Sequence, residues 1–142
     1  MAPLAVRIGN YDAQREKLAE YFDRTARKAW IDLTSDAKVS GIRATVRAGR
    51  ERMRDTLLGW LPQDLRRTRI LDAGCGTGAL SVAAACRGAE VTGVDVASGL
   101  VDIARERTPS FIGHGRIDWH AGPFVKIIWM YYQTMTLSYM NL

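Results

Sequence analysis

A glycine-rich loop is the part of this sequence best suited to hold a ligand. Gly74, Gly76 and Gly78 alternate between a short apolar run, which predicts a strand, and an alanine-rich stretch, which predicts a helix. Glycine there permits a tight turn and lets the backbone approach a ligand closely. Because Gly74, Gly76 and Ala79 also satisfy the dinucleotide-binding spacing, the loop alone leaves open a nicotinamide or flavin dinucleotide, S-adenosylmethionine, or a turn that binds nothing.

The charge of Asp72 separates these ligands. This residue lies just before the loop, at the carboxyl end of the predicted strand. A pyrophosphate favours a helix N-terminus without a nearby carboxylate, whereas the ammonium and sulfonium groups of S-adenosylmethionine are cationic and attract one. At about 4 Å, opposite charges near a protein surface attract by a few kcal/mol. The sign of the charge therefore predicts S-adenosylmethionine as the cofactor.

Asp95 adds a second carboxylate at the end of the next predicted strand. An acidic residue at this point is placed to accept hydrogen bonds from ribose hydroxyls; the alternative role is a helix cap, because a helix is predicted to begin just beyond it. Cys75 has no base near it in sequence, so we expect a small loop residue and not a nucleophile. The predicted cofactor contacts are Asp72, Gly74, Cys75, Gly76, Thr77, Gly78 and Asp95.

A row of arginines accompanies the apolar stripe of a predicted helix in the first half of the chain. Arg43, Arg47, Arg50 and Arg54 each come one residue after a position of that stripe. Arginine pairs well with carboxylates, so the row suits a large, flat, apolar substrate that carries them. The alternative is a solvated helix face. We predict Arg47 and Arg50 as substrate-binding residues, and the sequence indicates no catalytic residue.

The spacing of apolar residues changes along the chain, and the predicted secondary structure changes with it. Apolar residues at helical spacing predict helices over residues 11–33 and 39–61, whose apolar faces must pack on the C-terminal part of the chain. Strands and helices then alternate with short connections, which predicts a doubly wound parallel sheet. The predicted strands cover residues 69–72, 90–95 and 116–120, and the predicted helices cover residues 79–87 and 98–108.

These elements divide the chain into three parts. A cap of two helices covers residues 1–66, and the first half of an α/β domain that binds S-adenosylmethionine covers residues 67–120. Residues 121–142 differ in composition: Lys126 is their only charge, and they are rich in methionine and tyrosine. We interpret them as an atypical hydrophobic tail of foreign coding origin, the alternative being an ordinary buried strand over residues 124–132.

The composition and charge of the chain indicate its class, its compartment and the partners to expect. The chain has 142 residues, 47% of them hydrophobic and 25% charged, which is ordinary for one globular domain. Two cysteines in one α/β unit, without a secretion signal or a spanning segment, predict a cytoplasmic protein. The net charge of +5 is concentrated between Arg24 and Arg69, but we expect no nucleic-acid partner. His114 and His120 have no partners at metal-ligand spacing, so we expect no metal site.

Several segments resemble the N-terminal half of the magnesium-protoporphyrin IX O-methyltransferases. The glycine loop is common to many methyltransferases, so the segments in the helical cap make the resemblance specific. The resemblance covers most of this chain and about half of a complete family member. The matching segments are Tyr21–Thr25, Trp30, Ile42–Arg50 and Trp60–Pro62 in the cap, and Leu71–Gly78, Val94–Asp95 and Ala104–Arg107 beyond it.

The resemblance implies a Rossmann-like methyltransferase fold that uses S-adenosylmethionine. It implies methyl transfer to a propionate carboxylate of magnesium protoporphyrin IX, which gives the monomethyl ester in (bacterio)chlorophyll synthesis. It also implies peripheral association with a photosynthetic membrane or with magnesium chelatase. Two alternatives stay open: methylation of another small molecule, and a remnant that binds S-adenosylmethionine without catalysis.

The chain departs from the family pattern after the third predicted strand. The family has Gly-Asp there, an acid suited to the adenine end of the cofactor, where this chain has Gly122 and Pro123. The family's later strands are absent, and a three-stranded parallel sheet with an uncovered face and edge is poorly stable. We therefore expect a C-terminally incomplete fold and a chain that is inactive and poorly soluble on its own.

Overall fold

Three parallel strands form the sheet that carries the glycine loop. The computed structural model describes residues 4–25, 27–34, 38, 41–124 and 126. Strands β1 (Arg69–Ala73), β2 (Glu90–Asp95) and β3 (Arg116–Ala121) lie side by side in that order. The register brings Gly93 of β2 between Asp72 and Trp119 of its two neighbours. The predicted α/β architecture is confirmed, with strand limits within a residue of those expected.

Two helices make the crossovers between these strands. Helix α4 (Ala79–Cys86) follows β1, and helix α5 (Ser98–Arg107) follows β2. Gly88 follows the C-terminus of α4; its φ of 100° is left-handed, and its N–H donates to the Ala85 carbonyl. Small buried residues such as Ala84 and Ala85 let this helix approach the sheet closely, so the loop before it is held against the strands.

The helical cap, residues 1–66, contains three helices in its described part instead of the two predicted. The first predicted helix is divided into α1 (Leu4–Glu20) and α2 (Arg27–Thr34) by a π-helical turn, Tyr21–Thr25. Such turns change the direction of side chains within a helix. Here Phe22 of the turn and Ile31 of α2 pack against α5, so contacts with the α/β part accompany the break.

The third helix of the cap, α3 (Ile42–Gly59), is rotated relative to the prediction. The apolar stripe expected to face inward is exposed at Ile42 (84%), Val46 (44%) and Met53 (61%). The arginine side of the helix is more buried at Arg47 and Arg50. The Arg47 guanidinium donates a hydrogen bond to α2. This bond holds the arginine side of α3 toward α2, whereas the hydrophobic pattern alone favours turning the apolar stripe inward.

The predicted hydrophobic tail lies largely outside the described residues. The described chain after β3 ends with Phe124 and Lys126, so the proposed foreign origin of residues 121–142 stays a prediction. Within the described residues, no helix combines the length and the apolar character needed to cross a bilayer.

Candidate cofactor site

The glycine loop is held by the carboxyl end of β2. The N–H groups of Gly74 and Cys75 both donate to the Val94 carbonyl, at 2.7 and 3.0 Å. The N–H of Gly76 donates to Asp95 Oδ2 at 2.8 Å. The φ angles of Gly74, Gly76 and Gly78 are 84°, 53° and 83°, a left-handed region that favours glycine. The alternating glycines are therefore required by the backbone path of the loop.

Gly78 also meets a steric requirement that the sequence did not indicate. A Cβ at Gly78 would lie 2.4 Å from Trp119, and one at Gly93 would also lie 2.4 Å from the same indole. Trp119 is fixed by a 3.1 Å hydrogen bond from its Nε1 to Thr108 Oγ1. The indole thus packs beneath the end of the loop and across β2. Gly93 within a strand was the available signal, because an interior strand glycine often marks a close approach.

Asp95 has the geometry of a cap and is also open to a ligand. Its Oδ2 accepts the Gly76 N–H, and its Oδ1 accepts the N–H of Ala97, the N-cap residue of α5, at 2.9 Å. The residue is half-buried and lines the cleft between the loop and the helical cap. Each carboxylate oxygen has a second lone pair, so these contacts do not prevent a hydrogen bond from a ligand hydroxyl.

Asp72 faces helix α4 and does not line the cleft. The Ser81 hydroxyl donates to its Oδ2 at 2.6 Å. Burial raises the pKa of Asp72, the Ser81 hydrogen bond opposes this, and the charge of Asp95 adds to the increase. The two carboxylates therefore lie within each other's field. A cation nearby would favour both ionised forms.

Cys75 and Thr77 are buried in the loop and do not line the cleft. Burial raises the pKa of the Cys75 thiol to about 12, with further contributions from Asp95 and Asp72. The thiol is protonated near neutral pH, and a protonated thiol is a poor nucleophile.

A cleft lies between the glycine loop and the helical cap, and residues of both parts line it. Its volume is about 440 Å³, within the usual range of about 300–1,000 Å³ for small-molecule sites. Within the described part of the chain, its wall is formed by the loop and strand residues, by Leu100 of α5, by two residues of the cap and by two residues of the segment after β3. The lining residues are Phe22, Arg50, Ala73, Gly74, Gly76, Val94, Asp95, Val96, Leu100, Gly122 and Phe124.

The structure separates the two arginines that the sequence grouped together. Arg50 lines the cleft, and although burial lowers its pKa from 12.5, an arginine stays protonated near neutral pH. The Arg47 guanidinium donates to the carbonyl of Asp32 in α2 and is not among the lining residues. Phe22, which was not predicted as a site residue, joins Arg50 in the cleft wall, and its position depends on packing against a distant helix.

Comparison with known proteins agrees with this architecture. The methyltransferase domain family matches residues 70–133. The magnesium-protoporphyrin O-methyltransferase of Rhodobacter capsulatus is 47% identical over 114 residues, 80% of this chain and 50% of that protein. That of Synechocystis sp. PCC 6803 is 31% identical over 98 residues, 68% of this chain and 43% of that protein.

A solved structure matches both the cap and the α/β part. The crystal structure of magnesium protoporphyrin IX methyltransferase from Synechocystis PCC 6803, with bound SAM, superposes with a TM-score of 0.69 at 26% identity. The match covers 76% of this chain and 53% of that one.

The parallel sheet, the glycine loop and the matched domain define a Rossmann-like methyltransferase domain. Over most of its length this chain is similar to the magnesium-protoporphyrin O-methyltransferases, as its sequence resemblance predicted. It spans about half the length of the curated relatives it matches.

Proposed function

We propose that the cleft binds S-adenosylmethionine and that the chain is part of an enzyme methylating a propionate carboxylate of magnesium protoporphyrin IX to the monomethyl ester. The observation that carries this proposal is one cleft lined both by the loop with Asp95 and by Arg50 with Phe22 and Phe124. The relatives named for this reaction support the choice of substrate. Association with a photosynthetic membrane or with magnesium chelatase belongs to the same proposal.

The hydrogen bonding of the loop favours a cationic cofactor over a dinucleotide. The amides of Gly74, Cys75, Gly76 and Gly78 all donate to protein oxygens. Loop amides that bind a pyrophosphate point at the phosphate oxygens instead. The carboxylate of Asp95 also lies against the loop, where it would repel a phosphate and attract an ammonium or sulfonium group.

The proposed chemistry needs positioning more than proton transfer. S-adenosylmethionine, when bound, supplies a methyl group that is already activated by the cationic sulfonium. Arg50 holds the carboxylate of the substrate, which is ionised near neutral pH and is itself the nucleophile. Phe124 provides apolar surface for a flat macrocycle. Alignment of the two reacting groups then supplies much of the rate, and no catalytic base is required.

Asparagine at Asp72 tests the sign of the charge around the cleft. We expect D72N to weaken S-adenosylmethionine binding about tenfold, because about 1.4 kcal/mol of attraction is lost. Binding of NAD should stay equal or improve, because the change removes a repulsion of its pyrophosphate. Calorimetry with both ligands measures this, and D118N on the exposed face of β3 is the matched control. Wild-type protein that prefers NAD, or a D72N variant that loses NAD affinity, would refute the proposed cofactor.

The same substitution has an expected effect on the pH dependence of stability. Because the folded-state pKa of Asp72 is raised above 3.8, the folded protein binds more protons than the unfolded chain between the two values. Stability from this residue therefore falls as pH rises through that window. D72N keeps an acceptor for Ser81 and loses the buried charge, so we expect it to be no less stable than wild type at pH 7. Thermal melting from pH 4 to pH 7 compares the two.

Alanine at Arg50 tests the substrate subsite. We expect R50A to raise the dissociation constant of magnesium protoporphyrin about tenfold, the loss of one charge-assisted hydrogen bond. The affinity for S-adenosylhomocysteine should change much less. R47A should act mainly on stability, since Arg47 donates to a backbone carbonyl. Fluorescence quenching by the porphyrin reports binding, and R43A, exposed on the same helix, is the control. If R43A and R50A lose equal affinity for the porphyrin, the arginine row is a solvated helix face and not a substrate site.

A further inference from the structure

We infer that Asp23 is a positioning residue that locks the helical cap onto helix α5 and so holds Phe22 in the wall of the cleft. This inference rests on the proposed function, because its consequence is a better-formed cofactor site. Hydrogen bonds, close packing and the shared lining of the cleft all support it.

The Asp23 carboxylate acts as an N-cap supplied from a remote part of the chain. Its Oδ1 accepts the Gly99 N–H at 2.9 Å, although the two residues are 76 positions apart. The Ser98 hydroxyl donates to Oδ2 at 3.4 Å. The residue in the N-cap position of α5, Ala97, makes no side-chain hydrogen bond to the helix. A carboxylate at a helix N-terminus satisfies a free amide and interacts favourably with the helix dipole.

Gly99 permits this close approach. A Cβ on Gly99 would lie 2.8 Å from Asp23 Oδ1 and would displace the carboxylate. The φ angle of Gly99 is not left-handed, so the backbone does not itself require glycine there. The absence of a side chain is thus explained by the contact with the cap.

Phe22 links this contact to the cofactor site. It packs against Ala97, Leu100 and Ile103 of the α5 region. Phe22 and Leu100 also line the cleft together with Asp95. Since Phe22 directly precedes Asp23 in the π-helical turn, release of the carboxylate would free the aromatic ring from the cleft wall.

A second polar contact joins α5 to the next helix of the cap. The Arg107 guanidinium donates to the Ile31 carbonyl at 3.4 Å. Asp23 and Arg107 therefore attach opposite ends of α5 to the cap, since Gly99 lies in its first turn and Arg107 is its last residue. Loss of the Asp23 contact should consequently loosen the N-terminal end of α5, which is the end beside Asp95.

Hydrogen exchange of the 142-residue protein tests the lock directly. We expect D23A to speed exchange of the Gly99 amide about tenfold or more, the effect of losing a hydrogen bond to a charged group. Cleavage by trypsin after Arg24 and Lys28 should become faster as well. D23N keeps an acceptor oxygen and should restore much of the protection. E16A, which removes an exposed acid on α1, is the control and should leave Gly99 unchanged.

The affinity for S-adenosylhomocysteine completes the test. We expect D23A to weaken binding severalfold and D23N to remain close to wild type. Unchanged Gly99 exchange in D23A, or faster exchange spread evenly over the whole chain, overturns the lock. The exchange measurement needs no cofactor, so wild-type protein that binds no S-adenosylhomocysteine would refute the proposed function and leave the lock to be decided by exchange alone.

Discussion

Alanine in place of Gly78 is expected to destabilise the protein by about 2–5 kcal/mol. A left-handed φ costs an ordinary residue about 1–2 kcal/mol, and overpacking adds about 1–3 kcal/mol. Both contributions apply, because φ is 83° and the new Cβ would lie 2.4 Å from Trp119. Since domains are stable by only about 5–15 kcal/mol, we expect a large loss of folded protein. Urea unfolding followed by circular dichroism measures the change.

Gly76 provides the matched control for this substitution. Its φ of 53° is also left-handed, but a Cβ there meets nothing within 4 Å. We expect G76A to cost only the conformational part, about 1–2 kcal/mol. The difference between the two variants therefore reports the contact with Trp119. Equal destabilisation would show that the indole yields without cost and that only the backbone angle requires glycine at position 78.

Alanine in place of Asp95 is expected to impair both the fold and the binding of the cofactor. Two amides, those of Gly76 and Ala97, lose a charged acceptor. Each such hydrogen bond contributes about 1.5–3 kcal/mol, and an unsatisfied buried amide adds to the loss. We expect S-adenosylhomocysteine binding to weaken by a further ~1–3 kcal/mol through lost hydrogen bonds to the ribose.

Calorimetry of protein that is still folded separates these two effects. D95N retains one acceptor oxygen, so it should support one of the two amides and lose less stability than D95A. D102A, which removes an exposed carboxylate on α5, is the control for loss of charge. If D95A binds S-adenosylhomocysteine with unchanged affinity, Asp95 only caps α5 and holds the loop, and the predicted ribose contact is wrong.

Local pattern was sufficient to predict most of the α/β part. The strands, the two crossover helices and the loop between β1 and α4 follow from residue types within a short window, because alternation, periodicity and glycine act on the nearby backbone. The break between α1 and α2 was missed. Side chains at this break contact α5, which lies far away in the sequence. Such a long-range contact does not change the spacing of apolar residues within the helix, so the pattern gives no sign of it.

The candidate site likewise has some features that follow from local sequence and others that follow from long-range contacts. The glycine loop, the two carboxylates beside it and a basic helix nearby could be predicted from the sequence, since these depend on residue type and on the ends of predicted strands. Three further features could not be predicted: Asp72 faces Ser81, Arg50 and not Arg47 lines the cleft, and Trp119 lies beneath Gly78. Each depends on how elements pack. The rotation of α3 and the pairing of β3 with β2 are set by contacts between distant residues, which a hydrophobic pattern within one element cannot specify.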